Sequence, residues 1–178
     1  ILPIAAFLGA VTGILLGMPV LHLRGDYLAI VTLGFGEIIR IVMNNLDWVT
    51  NGPNGISRLD KATLFGMGIS RPAEIYWMLV VTVLIAGTLV WRMEKSILGK
   101  AWAAIREDQD AARGVGIDTT KAKLAAFAMS ATIGSIAGVL FAASQRFVSP
   151  ESFSLQESVL IVLLIVIGGI GNILGIVV

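Results

Sequence analysis

Five apolar blocks, each long enough to carry a helix across a bilayer, alternate with polar connections along this chain. A hydrocarbon core of about 30 Å takes about 20 helical residues. The blocks fall at 1–21, 27–44, 75–91, 122–143 and 158–178. Lipid offers the backbone no hydrogen-bond partners, so such blocks must close their bonds internally as helices. The expected fold is all-α: a polytopic transmembrane helix bundle of about five spans, read as one domain over 1–178. Composition agrees, with 56% hydrophobic and 14% charged residues and a mean hydropathy of +0.88, whereas a soluble domain is nearer one-quarter charged. Both ends lie inside apolar blocks, at Ile1 and Val178, so the sequence is expected to be an internal piece of a longer protein. It shows no signal peptide to remove.

A net charge of +1 gives no case for nucleic acid as a partner. With no cysteine and a single histidine, His22, thiolate sites, histidine clusters and Ser/His relays are hard to build, and neither a metal nor a cofactor is expected. Placement of the cations is more informative. The 92–123 connection holds Arg92, Lys95, Lys100, Arg106, Arg113, Lys121 and Lys123, against Arg58, Lys61 and Arg71 in 45–74 and Arg146 alone in 144–157. Positive charge collects on the cytoplasmic side. Residues 92–121 are therefore expected inside, 45–74 and 144–157 outside, and the turn 22–26 with Arg24 inside. Tyr76, Trp77 and Trp91 suit the two interfacial belts around the third span.

Small residues recur every fourth position in two spans: Ala5, Gly9, Gly13 and Gly17, then Ala122, Ala126, Ser130, Gly134, Gly138 and Ala142. Such ridges let helices approach closely in lipid; dense bundle packing and lining of a substrate path are both open. In the last span Gly168, Gly169, Gly171 and Gly175 surround Asn172, which fits either a broken helix or close packing. The outer run TNGPNGI (50–56) collects turn formers. Asn54-Gly55 suits a positive-φ turn approached by Pro53, as a rigid loop or as part of a docking surface.

One inner stretch resists the apolar pattern. Over 96–113 the apolar Ile97, Leu98, Ala101, Trp102, Ile105 and Ala112 fall roughly at helical spacing, with Arg106, Glu107, Asp110 and Arg113 on the other flank. This reads as one amphipathic helix stopped by Gly114 and Gly116, with Asp118 or Thr119 capping the next. Mixed charge gives anionic lipid little to hold. Docking to a partner protein, a solvated connector and anchoring on membrane lipid all remain open.

Asp110-Ala111-Ala112-x-x-x-Gly116 resembles the EAA---G signature of ABC importer permeases, with Asp in place of Glu. LRGDYLAIVTLGFGEIIRIVMNN (23–45), TNGPNGI, GKAWAAIREDQDAARGVGID (99–118) and SPESFSLQESVLIVLLIVIGGIGN (149–172) look like the branched-chain amino acid permease subfamily, more closely the longer of its two paired subunits. The resemblance implies a multi-pass protein of the bacterial cytoplasmic (inner) membrane, working in ATP-driven uptake of leucine, isoleucine and valine. It implies as partners cytoplasmic ABC ATPase subunits, a second permease subunit and a periplasmic or extracellular substrate-binding protein. It also makes 92–121 a coupling loop, with Trp102, Ile105, Arg106, Asp110, Ala111, Ala112 and Gly116 engaging the ATPase. The sequence holds no phosphate-binding G-x-x-x-x-G-K-[ST] loop of its own.

Within the second span, Glu37 and Arg40 stand at i, i+3 on one helix face. Glu37 lies about 15 Å into a span that starts at Tyr27, where an unpaired charge costs at least about 2.5 kcal/mol. The pair must face protein or water, in a functional or a structural role. Thr32, Gly34, Glu37 and Arg40 are the candidate substrate pathway, with Gly34 and Gly36 expected to open the helix. Urea or another small solute is an alternative cargo. An ion-coupled secondary transporter using Glu37 is an alternative mechanism, and it gives no reason for the 99–118 loop. An intramembrane enzyme would need paired catalytic groups that the spans do not supply.

Overall fold

A computed structural model of the chain describes residues 1–21, 23, 26–57, 59, 63–64, 67–68 and 71–169. It contains α1 (Leu2–Val20), α2 (Asp26–Asn45), the single turn α3 (Asp47–Thr50), α4 (Pro72–Glu94), α5 (Ile97–Glu107), α6 (Gln109–Gly114), α7 (Thr119–Gln145) and α8 (Leu155–Gly168). The strands β1 (Ile56–Ser57), β2 (Thr63–Leu64), β3 (Met67–Gly68) and β4 (Phe147–Val148) are two residues each and confined to connections. Five segments are long and apolar enough to cross a membrane: Leu2–Val20, Tyr27–Asn45, Pro72–Glu94, Thr119–Gln145 and Pro150–Gly168. The all-helical, five-span expectation holds.

Local chemistry explains the boundaries. Pro72 opens α4, and the Arg71 backbone N–H donates to the Glu74 carboxylate at 3.2 Å, starting the helix earlier than apolar content alone indicates. Asp118 Oδ1 accepts the Lys121 backbone N–H at 3.0 Å and so caps α7. That bond, with Lys121 itself, holds the Asp118 carboxyl below its ordinary range. The cap is therefore complete above the ordinary carboxylate range and fades only as pH falls through the lowered value. The fifth span begins earlier than its apolar block, because Ser154 Oγ accepts from the Glu157 N–H at 3.4 Å and caps α8 at Leu155. The helix ends at Gly168, and Gly169 has φ +90°. Gly171, Asn172 and Gly175 lie outside the described residues, as do His22, Arg24, Arg58 and Lys61.

The chain divides into two compact units. One comprises Ile1–His22 and Lys61–Ser144. In it, Gly9, Gly13 and Gly17 are buried because α7 runs directly over them. A Cβ at Gly9 would stand 2.7 Å from the Ala131 carbonyl oxygen, and one at Gly13 would stand 2.6 Å from that of Phe127. The expected α1 ridge is real, and the row of α7 that it meets is not the small-residue row at 122–142. Phe127, Ala128, Ala131 and Ser135 meet the glycines, whereas Gly134 and Gly138 have no described atom within 4 Å of where a Cβ would sit. The reason is angular. Positions 127, 131 and 135 form their own i, i+4 row, and the glycines of α1 are small enough to receive it.

The other unit comprises Leu23–Asp60 and Gln145–Val178. Here α2 packs against α3, the 3-10 turn at Gly52–Asn54, a second 3-10 turn at Pro150–Phe153, and α8. β1 and β4 pair antiparallel, with Ile56 opposite Val148. TNGPNGI is a knot within this unit. Thr50 Oγ1 donates to the Met43 and Leu46 carbonyls and accepts from the Gly52 N–H, and Asn51 Nδ2 donates to the Gly55 carbonyl at 3.1 Å. Gly52 (φ +56°) and Gly55 (φ +66°) are buried in left-handed geometry; a Cβ on Gly55 would meet the Val148 carbonyl oxygen at 2.5 Å. The rigid-loop reading therefore describes its local structure.

The α1–α7 contact gives a clear pair of variants. Gly13→Val should destabilise the detergent-solubilised protein by about 1–3 kcal/mol through overpacking. Gly134→Val should leave its thermal unfolding close to that of the parent chain. Equal melting of the two variants would remove the glycine ridge as the basis of that packing.

Candidate functional site

Two groups of candidate residues have distinct environments. The first is the connection between α4 and α7. Sequence spacing indicated one helix over 96–113, but the structure breaks it into α5 and α6. Asp108 adopts extended geometry (φ −151°, ψ 116°), and its Oδ1 accepts the N–H groups of Asp110 and Ala111 at 2.8 and 3.0 Å. A short carboxylate in an N-cap competes well with continued helix, and this one restarts the chain in a new direction.

Ser96 opens α5, its Oγ accepting from the Gly99 N–H at 3.4 Å. Gly99 is buried against the end of α4, where a Cβ would lie 2.5 Å from the Met93 carbonyl oxygen. The corner between α4 and α5 thus requires glycine. After α6 the chain turns through Gly116 (φ +86°), with the Ile117 N–H donating to the Ala112 carbonyl at 3.1 Å. This is the left-handed C-terminal stop expected at this position.

The seven candidate coupling residues separate by exposure. Trp102 and Ile105 are half-buried and Ala112 is buried, whereas Arg106, Asp110, Ala111 and Gly116 are exposed. Trp102 Nε1 donates to the Ala122 carbonyl on α7 at 2.7 Å. Its ring therefore ties the loop to its own span. Arg113 reaches Thr119 Oγ1 at 2.9 Å through Nε, and its Nη1 stands 3.7 Å from Asp110 Oδ1, an exposed pair worth little by itself. Ile97 and Val115, at 87% and 78% exposure, put apolar surface on the same connection.

The second group lies on α2. The helix is continuous from Asp26 to Asn45, so Gly34 and Gly36 do not open it. Neither has a described atom within 4 Å of where a Cβ would sit, and an unstrained helical bond pattern needs nothing further there. The Thr32 hydroxyl reaches the Leu28 and Ala29 carbonyls at 2.9 Å each, so its donor serves its own helix. Glu37 and Arg40 are paired as expected: Arg40 Nε stands 3.2 and 3.0 Å from the two carboxylate oxygens, and Nη2 stands 2.6 Å from Oε1.

Sequence spacing did not reveal the third member, Glu151. Arg40 Nη1 donates to Glu151 Oε1 at 2.9 Å, and Asn44 Nδ2 donates to the same oxygen at 2.9 Å. Asn44 Oδ1 is buried and accepts no hydrogen bond among the described residues. Two carboxylates thus share one guanidinium. Glu151 lies 111 residues from Arg40, beyond any local periodicity, although its place after Ser149-Pro150 in the connection between α7 and α8 could have flagged it. Nor did spacing reveal the Asp108 cap or the bond between Gln109 and Lys123.

Comparison with known proteins supplies the lineage. Residues 1–178 match the family described as branched-chain amino acid transport system / permease component. The chain is 44% identical over 194 residues to the high-affinity branched-chain amino acid transport system permease protein LivM of Escherichia coli (strain K12), covering 96% of this chain and 46% of that one. The protein of the same description from Salmonella typhimurium gives the same figures. The probable branched-chain amino acid transport permease protein LivM of Methanocaldococcus jannaschii is 27% identical over 171 residues, 95% of this chain and 49% of that protein. The chain spans about half the length of these relatives. No solved structure matches it. With apolar helices of spanning length and a family match over every residue, the chain belongs to the branched-chain amino acid transport permease family.

Proposed function

We infer that the chain is the membrane pathway of an ATP-driven ABC importer for branched-chain amino acids in the bacterial inner membrane, working beside a second permease subunit. A binding protein delivers substrate from outside, and cytoplasmic ATPases provide the stroke; ATP hydrolysis is theirs, and this chain is no enzyme. The observation that carries the reading is the α5–α6 connection in a chain of this family. It is folded, capped at both helices and bonded back to α7, yet it leaves Arg106, Asp110, Ala111 and Gly116 exposed. A passive connector has no need of two caps and a glycine-only corner. A lever does, because displacement at its exposed face must reach the spans without being lost in bending.

Residues 92–121 then face the cytoplasm as the coupling loop, and Asp110 keeps the negative charge of the usual Glu on a shorter side chain. On the pathway side, Thr32, Gly34, Glu37 and Arg40 mark one stretch of α2, joined by Glu151. A zwitterionic substrate with an apolar side chain needs weak, paired charges beside apolar wall, and the Glu37–Arg40–Glu151 group supplies them. The bond between Glu37 and Arg40 keeps either charge from standing unpaired at membrane depth.

Sidedness is directly testable because the sequence has no cysteine. A single cysteine at Glu107 should react with an impermeant maleimide only from the cytoplasmic face, and one at Trp48 only from the outside; the reverse pattern rejects the reading. Asp110→Lys or Gly116→Leu should leave membrane levels intact while reducing ATP-driven leucine uptake about tenfold, as expected for loss of one coupling contact. Wild-type uptake in both would remove the coupling role. Glu37→Gln should slow uptake, measured with radiolabelled leucine in vesicles; unchanged kinetics would make the α2 group architectural.

A further inference from the structure

Lys123 lies in the second turn of α7, near the positive end of the helix dipole, behind the Asp118 carboxylate that caps the helix. What it touches gives it a use. Its Nζ donates to the Leu21 carbonyl at 3.2 Å and to Gln109 Oε1 at 2.9 Å. Leu21 is the C-cap of α1, a helix with no basic residue in its last turn. Its carbonyl is one of those that a helix end leaves without an intrahelical donor, and an ammonium is well suited to it. Gln109 is the first residue of α6. One side chain therefore bonds three helices: its own, the end of α1, and the exposed half of the coupling connection.

The other two bonds from this connection stop at α7. Trp102 Nε1 donates to the Ala122 carbonyl and Arg113 Nε donates to Thr119 Oγ1. Both fix α5–α6 to the start of α7, and neither goes further. Lys123 sits beside Ala122, so it meets the same region and extends it to α1. The glycine row of α1 is seated on α7 from Gly9 to Gly17, and rigid helices packed in this way move together.

We propose that Lys123 is a positioning residue for coupling: a strut whose ammonium carries displacement of α6 to the end of α1, so that α1 and α7 shift as one body. This rests on the importer reading above. It also assigns separate work to the two bonds of the ammonium. The Leu21 bond holds the helix pair together, and the Gln109 bond connects that pair to the lever. A lysine has three donors on one freely rotating head, which allows both bonds at once. A methionine of similar length keeps the packing and loses both.

The test uses the complete importer, with ATPase, companion permease and binding protein, reconstituted in liposomes and assayed for leucine taken up per ATP hydrolysed. Lys123→Met should reduce that ratio about fivefold or more, with basal ATP turnover and the amount of assembled complex unchanged. Gln109→Ala, which removes only the outer bond, should reduce it in the same direction, and Gln109→Glu, which keeps an acceptor for the ammonium, should restore it. A wild-type ratio in Gln109→Ala overturns the strut, and so does parallel loss of uptake and ATP turnover in both variants, since a purely structural lysine would give that result. Should Lys123→Met fail to assemble, Gln109→Ala decides alone. Failure of the unaltered complex to accumulate leucine on ATP would reject the importer reading itself, and the strut with it.

Discussion

A backbone in hydrocarbon has to answer every one of its own polar groups, and the rest of this structure follows from that constraint. It makes the five long segments helical and removes the hydrophobic effect as a reason for those helices to associate. What remains is close approach. Gly9, Gly13 and Gly17 bring the backbone of α1 onto Phe127, Ala128 and Ala131 of α7, where many small dispersion contacts add up. Among the described residues no side chain of α4 is fully buried, which leaves its apolar surface exposed.

Polar groups that enter this setting come in bonded sets. Arg40 holds Glu37 and Glu151 together, and Asn44 shares the Glu151 oxygen. At the other group, Ser96, Asp108 and Asp118 each use a side-chain oxygen to start a helix. These three caps, with Gly99 and Gly116 at the corners, turn a charged connection of some twenty residues into a sequence of short rigid rods. Rigidity is the property that the proposed coupling role requires there. A flexible loop of this length would absorb a displacement of a few ångströms at its outer face without passing it on.

The parts of this arrangement that the sequence made legible are those governed by local rules. Span existence, the α1 glycine row, the Glu37–Arg40 pair and the glycine stop at 116 all follow from spacing within one helix or one turn. Asp118 was recognisable as a cap for the same reason. The failures share a cause. The α5–α6 break depends on the conformation of Asp108, whose carboxylate competes with a helical pattern that the apolar residues otherwise favour. Which row of α7 meets α1 depends on how two helices rotate about their axes, and Gly134 and Gly138 offered an equally plausible row. Glu151 and Lys123 act across 111 and 102 residues respectively, and no periodicity reaches that far. Even Gly34 and Gly36 misled for a physical reason: glycine permits an opened helix, but nothing in α2 pulls the backbone away from its regular bonds.

Trp102 shows why residue type alone gives an incomplete account of a coupling element. A tryptophan on an amphipathic, mixed-charge helix looks like an anchor for a partner's groove, and its ring remains half-exposed enough to serve as one. Yet its only hydrogen-bond donor is already committed to the Ala122 carbonyl. The bond turns the indole inward, so what the helix offers outward is Arg106, Asp110 and Ala111. An interface built from that face would rely on charge complementarity and a small apolar contact, a combination that favours rapid, repeated engagement over permanent attachment. The proposed lever requires a firm root and a light grip, and α5–α6 divides into a side bonded to α7 and an exposed charged side.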